Sequence, residues 1–190
     1  MKGLLGFLYY SWHAFRLLWD GRDAMLYFDR SLRGFWISFT PAIILLPLQL
    51  YMVMANSQDV ALDVPNSIFL TVQTLSYTIN WLAYPLVVFH LLNMMDRSRQ
   101  FFDYMVPYNW SHVSQTLLYS LLLFLQQSSL LPDPVLQALS FMLSLGIFFY
   151  LWRIARVTLS IDAFGATGLV LLDIIVGAFV MMMAASILVH

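Results

Sequence analysis

Residues 164–189 read FGATGLVLLDIIVGAFVMMMAASILV, twenty-six positions in which Asp173 is the sole charged side chain. The hydrocarbon core of a bilayer is about 30 Å thick, and a helix needs roughly 20 apolar residues to cross it. This stretch is long enough to span, and four others to its N-terminal side also qualify. The five predicted spans are about Gly34–Ala55, Asn66–Met94, Tyr108–Gln127, Pro134–Thr158 and Phe164–Val189. The second and fourth exceed the core thickness and predict tilt or projection from it. The expected fold class is therefore all-α integral membrane: a five-helix transmembrane domain over 34–190, preceded by a cytoplasmic amphipathic segment over 1–33.

Composition agrees with that reading. Of 190 residues, 61% are hydrophobic and 10% charged, against about a quarter charged in soluble domains. The chain cannot clothe a water-facing surface, which excludes soluble, nucleic-acid-binding and disordered classes. There is no Cys, hence no disulfide and no thiolate chemistry, and the ten acids are all Asp. Pro65, Pro107 and Pro134 fall where a helix is expected to begin, the position at which a missing N–H costs least. Asp133 and Asp162 are placed to cap the fourth and fifth spans, and Asn109 or Ser111 the third. Pro41, Pro47 and Pro85 predict kinks.

The basic residues give the expected orientation. Lys2, Arg16, Arg22, Arg30 and Arg33 precede the first span, Arg97 and Arg99 separate the second from the third, and Arg153 and Arg156 close the fourth. All nine fall on one side of a five-span arrangement, which the positive-inside rule makes cytoplasmic. Six Asp share that side, leaving a net of +3, whereas the other side carries only Asp59, Asp63 and Asp133.

The first 33 residues do not read as a cleavable leader, because His13 and Arg16 interrupt their apolar run and no small-x-small site follows. At 100° per residue, Lys2, Tyr9, His13, Arg16 and Asp20 share one helical face and Leu4, Leu8, Trp12, Phe15 and Trp19 the opposite one. Such a helix either lies in the membrane interface or packs on the cytoplasmic mouth of the bundle. Trp12, Phe15, Arg16, Trp19, Trp36, Trp110 and Trp152 are the expected lipid-interface residues, the Trp among them forming a cytoplasmic-side aromatic belt.

Polar residues within apolar spans mark either packing or function. Asp173 lies about 14 Å into its helix at 1.5 Å per residue, with Ala166, Gly177 and Ala184 on its face. It reads as a protonation or ion-coupling site, or as a hydrogen-bonded acid that fixes helix packing, with Asn80 or Tyr77 as the expected partner. Asn66, Gln73, Tyr77, Asn80 and Tyr84 form one polar stripe on the second span, which lines a pathway or bonds between helices. Either reading buries it. His90 and His112, at the ends of adjacent spans, are candidate haem ligands if their depths match. The alternative for both is an interfacial histidine that faces water; His13 lies on the polar face of the first helix, and His190 is the last residue. No HExxH, GxSxG, phosphate-loop or dinucleotide fingerprint occurs.

Two stretches carry a resemblance: Phe28-Asp29-Arg30-Ser31-Leu32-Arg33-Gly34-Phe35-Trp36-Ile37-Ser38-Phe39, and Phe102-Asp103-Tyr104-Met105-Val106-Pro107-Tyr108-Asn109-Trp110. The chain resembles a group of small inner-membrane proteins of alphaproteobacteria, and is similar in layout to the Yip1-like five-span proteins. The resemblance implies a bacterial inner membrane and names no active site. The resulting expectation is a non-enzymatic protein, without cofactor or metal. It would act through contacts with lipids and other integral membrane proteins, as an accessory or assembly subunit of a larger complex. A small transporter or channel component using Asp173 is the alternative, and a haem-binding subunit the third reading. With the N-terminus cytoplasmic and the C-terminus periplasmic, reporter fusions after Asp59, Arg99, Asp133 and Arg156 are expected to read outside, inside, outside, inside; a cytoplasmic signal after Asp133 would refute five spans.

Overall fold

The computed structural model describes residues 4–57, 64–128 and 130–189; Lys2, Asp59, Asp63 and His190 lie outside them. Seven α-helices occur among these residues: α1 (Leu4–Arg16), α2 (Leu32–Ile37), α3 (Thr40–Ser57), α4 (Asn66–Met94), α5 (Phe101–Gln127), α6 (Asp133–Leu159) and α7 (Ala163–Val189). A 3-10 helix, Gly21–Tyr27, joins α1 to α2. Four stretches are long and apolar enough to cross a membrane: Leu32–Asn56, Asn66–Met94, Asp133–Leu159 and Ala163–Leu188. The fold is thus all-α and suited to multiple passes.

The helix expected over Gly34–Ala55 comes in two pieces. Pro41 has no N–H to give, and the carbonyl of Ile37 is taken instead by the Thr40 hydroxyl at 2.6 Å. The chain breaks at Ser38–Phe39, between α2 and α3. Ahead of α2, Ser31 caps the amide of Gly34 at 3.2 Å. A Cβ at position 34 would overlap the Asp29 carbonyl oxygen, so only glycine fits this turn.

The largest departure from expectation is at the third predicted span. Residues 101–107 are not a loop: α5 begins at Phe101, and Pro107 lies inside it, fully buried. Asn109 and Ser111 are consequently interior residues of a helix and not its caps. What ends α4 is a compact reversal. Asp96 adopts a left-handed φ of 56°, the Arg97 amide donates to Leu92 O at 2.8 Å and the Asp96 amide to Asn93 O at 3.2 Å. These are the two bonds of a Schellman closure, with Asp in the place glycine usually holds. At α6 the expected Pro134 start holds, but the cap position belongs to Pro132, and Asp133 is already helical with no capping bond. Asp162 does cap α7, accepting from the Gly165 amide at 2.9 Å.

At 27 residues α5 is as long as α6 and α7, yet it is more polar, because the surroundings of its first half are protein. From Tyr104 to Ser111 every residue is buried, enclosed by α1, α2, α3, α4 and α6. The remaining helix, α7, packs between α4 and α6. Arginines from distant segments meet at one end of the bundle. Arg22 bonds the Ser160 hydroxyl, Arg97 the carbonyl of Leu159 at 3.0 Å, and Arg30 the Asp103 carboxylate at 3.1 Å. Near the opposite end, Tyr51 reaches Gln127 at 3.3 Å.

Helix α1 packs on the bundle and does not stand apart from it. Phe7 and Tyr10 hold the Trp110 ring, with centroids 5.8 and 5.1 Å away, and Ala14 and Leu17 are buried. Trp110, 2% exposed, is therefore a core residue and no part of an aromatic belt. Trp12 and Trp19, at 55% and 54%, and Trp36 do face outward. The expected water-facing side of α1 is covered. His13 is 5% exposed and stacks on Tyr27 at 3.9 Å, while Arg16 pairs with Asp20 and lies over the Tyr27 ring. The signal in the sequence was amphipathic, but the 3-10 segment folds back over the polar side.

Burial holds the His13 imidazole below its usual pKa of 6.5, and the Arg16 charge adds to that shift. Its Nδ1 is buried without a hydrogen-bond partner among the described residues, so the folded form disfavours the second proton. Below pH 6.5 the unfolded chain then binds more protons than the folded one, and stability falls with acid. The hydrogen-exchange protection factors of α1 and residues 21–27, corrected for the pH dependence of intrinsic exchange, are expected to fall as pH drops from 7.5 to 5. His13→Phe, which keeps the stack without titrating, is expected to remove that dependence; an unchanged profile would refute it.

Candidate functional site

The residues that meet inside the bundle come from α4, α5 and α7. Asp173 of α7 accepts a hydrogen bond from the Tyr108 hydroxyl of α5 at 2.7 Å. One turn before Tyr108, Tyr104 stands 2.6 Å from the hydroxyl of Tyr84 on α4, and Tyr84 donates to the Leu169 carbonyl of α7 at 3.2 Å. A phenol has one proton to give. The order is therefore fixed: Tyr104 donates to Tyr84, and Tyr84 to Leu169 O. Tyr84 and Tyr108 also touch, with ring centroids 4.7 Å apart. Two short chains of hydrogen bonds thus tie three helices together at the level of Asp173.

Register explains why these groups meet. A Cβ on Gly177 would lie 3.7 Å from Asn80 Oδ1, and Leu169 lies beside Tyr84, so α4 and α7 run antiparallel with Asp173 opposite residues 80–84. Ala166 and Ala184 on the Asp173 face are buried, as small residues at a close helix contact should be. Asp173 is thus level with Asn80, one of its two expected partners, but the hydrogen bond it accepts comes from Tyr108.

The stripe on α4 does not act as one unit. Tyr77 turns toward α3 and donates to Ala42 O at 2.9 Å. Gln73, one turn away, is half-buried, whereas Asn66 and Asn80 are exposed, contrary to the expectation that the whole stripe is covered. Asn80 nonetheless borders a small cavity of about 20 Å³ with Trp81, Tyr84, Tyr108, Asn109 and His112, space for about one water. Asn109 donates to Ser38 Oγ at 2.9 Å, which fastens α5 to the break between α2 and α3.

The two histidines do not share a depth. His112 lies against Trp81 at 4.7 Å and Tyr108 at 5.0 Å, level with residue 81 of α4. His90 is nine residues further along, about 13 Å at helical rise, and bonds Leu86 O at 2.8 Å. They cannot ligate one haem iron. Among the described residues no group of three or more His, Asp or Glu is placed to hold a metal. The interface residues divide as well. Trp12, Trp19 and Trp36 face outward, and Phe15 is half-buried against Tyr150. Arg16 is paired, Trp110 is interior, and Trp152 donates to Ala163 O at 3.2 Å beneath the Arg156 guanidinium.

Sequence reasoning missed Tyr104, Tyr108 and Ser38. The signal was available: Tyr104, Tyr108, Ser111 and Gln115 recur at helical spacing, and Gln115 donates to Ser111 at 3.0 Å. Ending the helix at Pro107 cut that series. The stretch 102–110 likewise lies inside α5 and is buried from Tyr104 onward. No family model, curated protein or solved structure matches the chain.

The Tyr108–Asp173 bond yields a direct test. Asp173→Asn keeps an acceptor for Tyr108 and is expected to leave thermal stability in detergent near that of the parent. Asp173→Leu strands the hydroxyl and is expected to lose about 1–3 kcal/mol. Adding Tyr108→Phe to Asp173→Leu removes the stranded group and is expected to restore part of the loss. Equal losses for Asn and Leu would show that the bond does not carry the contact.

Proposed function

We propose that the chain is a five-span protein of a bacterial inner membrane, with its N-terminus cytoplasmic and its C-terminus periplasmic. We further propose that it works without catalysis, through contacts with other membrane proteins, as an accessory or assembly subunit. Support for α5 as a span beside the four apolar ones comes from its place in the chain. It joins α4 to α6 through short turns at either end, and these helices are long enough to cross. The arginines gathered at one end support a cytoplasmic assignment for that end.

The observation that carries the functional reading is how the interior polar groups are used. The Tyr108–Asp173 bond joins α5 to α7, the Tyr104–Tyr84–Leu169 chain joins α5, α4 and α7, and the Asn109–Ser38 bond joins α5 to the break between α2 and α3. Chemistry-bearing residues are thus committed to holding the bundle. What the molecule presents outward is an apolar face rich in adaptable side chains, including Phe141, Met142 and Phe149 on α6 and Phe179, Met181 and Met182 on α7. Such a surface suits lipid and the transmembrane faces of other proteins alike.

Purification from native membranes in mild detergent, with mass spectrometry of the eluate, tests this. The expected result is a stable, stoichiometric membrane-protein complex that Asp173→Asn leaves intact. A chain that elutes alone, with cation- or pH-dependent stability abolished by Asp173→Asn, would overturn the subunit reading and favour transport through Asp173.

A further inference from the structure

At the arginine-rich end, a void of about 590 Å³ opens between the last turn of α4 and the first turns of α7. That volume falls within the roughly 300–1,000 Å³ of small-molecule sites. Its walls are apolar, with Leu91, Leu92 and Met95 on one side and Leu169 and Leu172 on the other. Gly165 and Gly168 keep the α7 side low, and nothing lies within 4 Å of where a Gly168 Cβ would stand.

The mouth is polar, formed by Arg97, Ser160 and Asp162, and the backbone explains why. The left-handed Asp96 turns Arg97 back over the bundle, where one guanidinium nitrogen donates to Leu159 O at 3.0 Å. A guanidinium has five N–H donors, so this leaves most of its capacity open. Ser160, also left-handed at φ 52°, turns the chain from α6 to α7, and its hydroxyl takes Arg22. Arg97 thus lines the slot itself, and Arg22, bonded to Ser160 at the rim, brings a second guanidinium beside the mouth. The one carboxylate there, Asp162, is engaged by the Gly165 amide at 2.9 Å.

We propose that this void binds one anionic glycerophospholipid, with its phosphate at Arg97 and Arg22 and an acyl chain between α4 and α7. Arginine's planar fork matches phosphate oxygens, while the leucine walls suit the chain and would stay unfilled around a free anion. Asp162 offsets the charge of Arg97, and Arg22 at the rim adds the positive charge that selects a headgroup of net negative charge. The inference rests on the membrane reading for its source of lipid, but not on the subunit reading.

The test uses the full-length protein in mild detergent, titrated with phosphatidylglycerol, phosphatidylcholine or inorganic phosphate and read by native mass spectrometry. One phosphatidylglycerol per chain is expected, retained about tenfold more than phosphatidylcholine, a difference of about 1.4 kcal/mol. Inorganic phosphate is expected not to compete. Gly168→Phe fills the void from a position with free space, and Arg97→Gln removes a mouth charge. Each is expected to lower retention about tenfold with circular dichroism and elution volume unchanged. Should Arg97→Gln loosen the end of α6, Arg22→Gln repeats the charge test. Equal retention of the two lipids, undiminished binding by Gly168→Phe, or competition by inorganic phosphate would each overturn the proposal. Failure to recover a protein complex would count against the subunit reading alone.

Discussion

A polar helix inside an apolar bundle is the constraint on which the rest of this structure depends. Helix α5 brings Tyr104, Tyr108, Asn109, Ser111 and Gln115 into positions that are closed to solvent. Buried donors and acceptors without partners are costly, so the neighbouring helices must sit where they can supply partners. Ser38 meets Asn109, Tyr84 meets Tyr104, and Asp173 meets Tyr108. Each match fixes the height of one helix against α5. Apolar packing alone would tolerate sliding along the axis, whereas a tyrosine hydroxyl 2.7 Å from a carboxylate does not.

The same constraint accounts for the N-terminal segment. The flank of α5 that carries Trp110 is not covered by a long apolar helix, and α1 covers it with Phe7 and Tyr10. The segment therefore has two jobs, which divide around its circumference. One side closes the bundle, and the side bearing Trp12 and Trp19 faces outward. The 3-10 stretch then covers His13 with Tyr27, so that a residue of ordinarily water-facing type becomes part of an aromatic stack.

The arginine-rich end is built differently. Two left-handed non-glycine residues there, Asp96 and Ser160, each reverse the chain within a few residues and return an arginine or its acceptor to the bundle. Short reversals leave little loop to cover the gap between α4 and α7, and the gap keeps a charged rim above leucine walls. In the bundle interior, the hydroxyls of Tyr84, Tyr104 and Tyr108 are matched within the protein. Here the matching group is expected to come from the surroundings.

Length and hydropathy determined the helices that face outward, because an apolar run of more than about 20 residues has few alternatives to a spanning helix. They also determined that the basic residues cluster, whereas the level of Asp173 with residues 80–84 came from the Gly177–Asn80 and Tyr84–Leu169 contacts. The limits of α5 were not legible, because Pro107 reads as a helix start when its neighbours are unknown. Inside a bundle the ring is enclosed and the helix runs through it. The partner of Asp173 was not legible for a related reason. Periodicity states which residues of one helix share a face, but rotation and height relative to another helix depend on contacts between them. Those contacts placed Tyr108, and not Asn80 or Tyr77, against the carboxylate. They also set His90 and His112 at different depths and turned Trp110 inward. Sequence fixes what each helix offers to its neighbours; only packing in three dimensions decides which offer is taken, since a hydrogen bond needs its two atoms within about 3 Å.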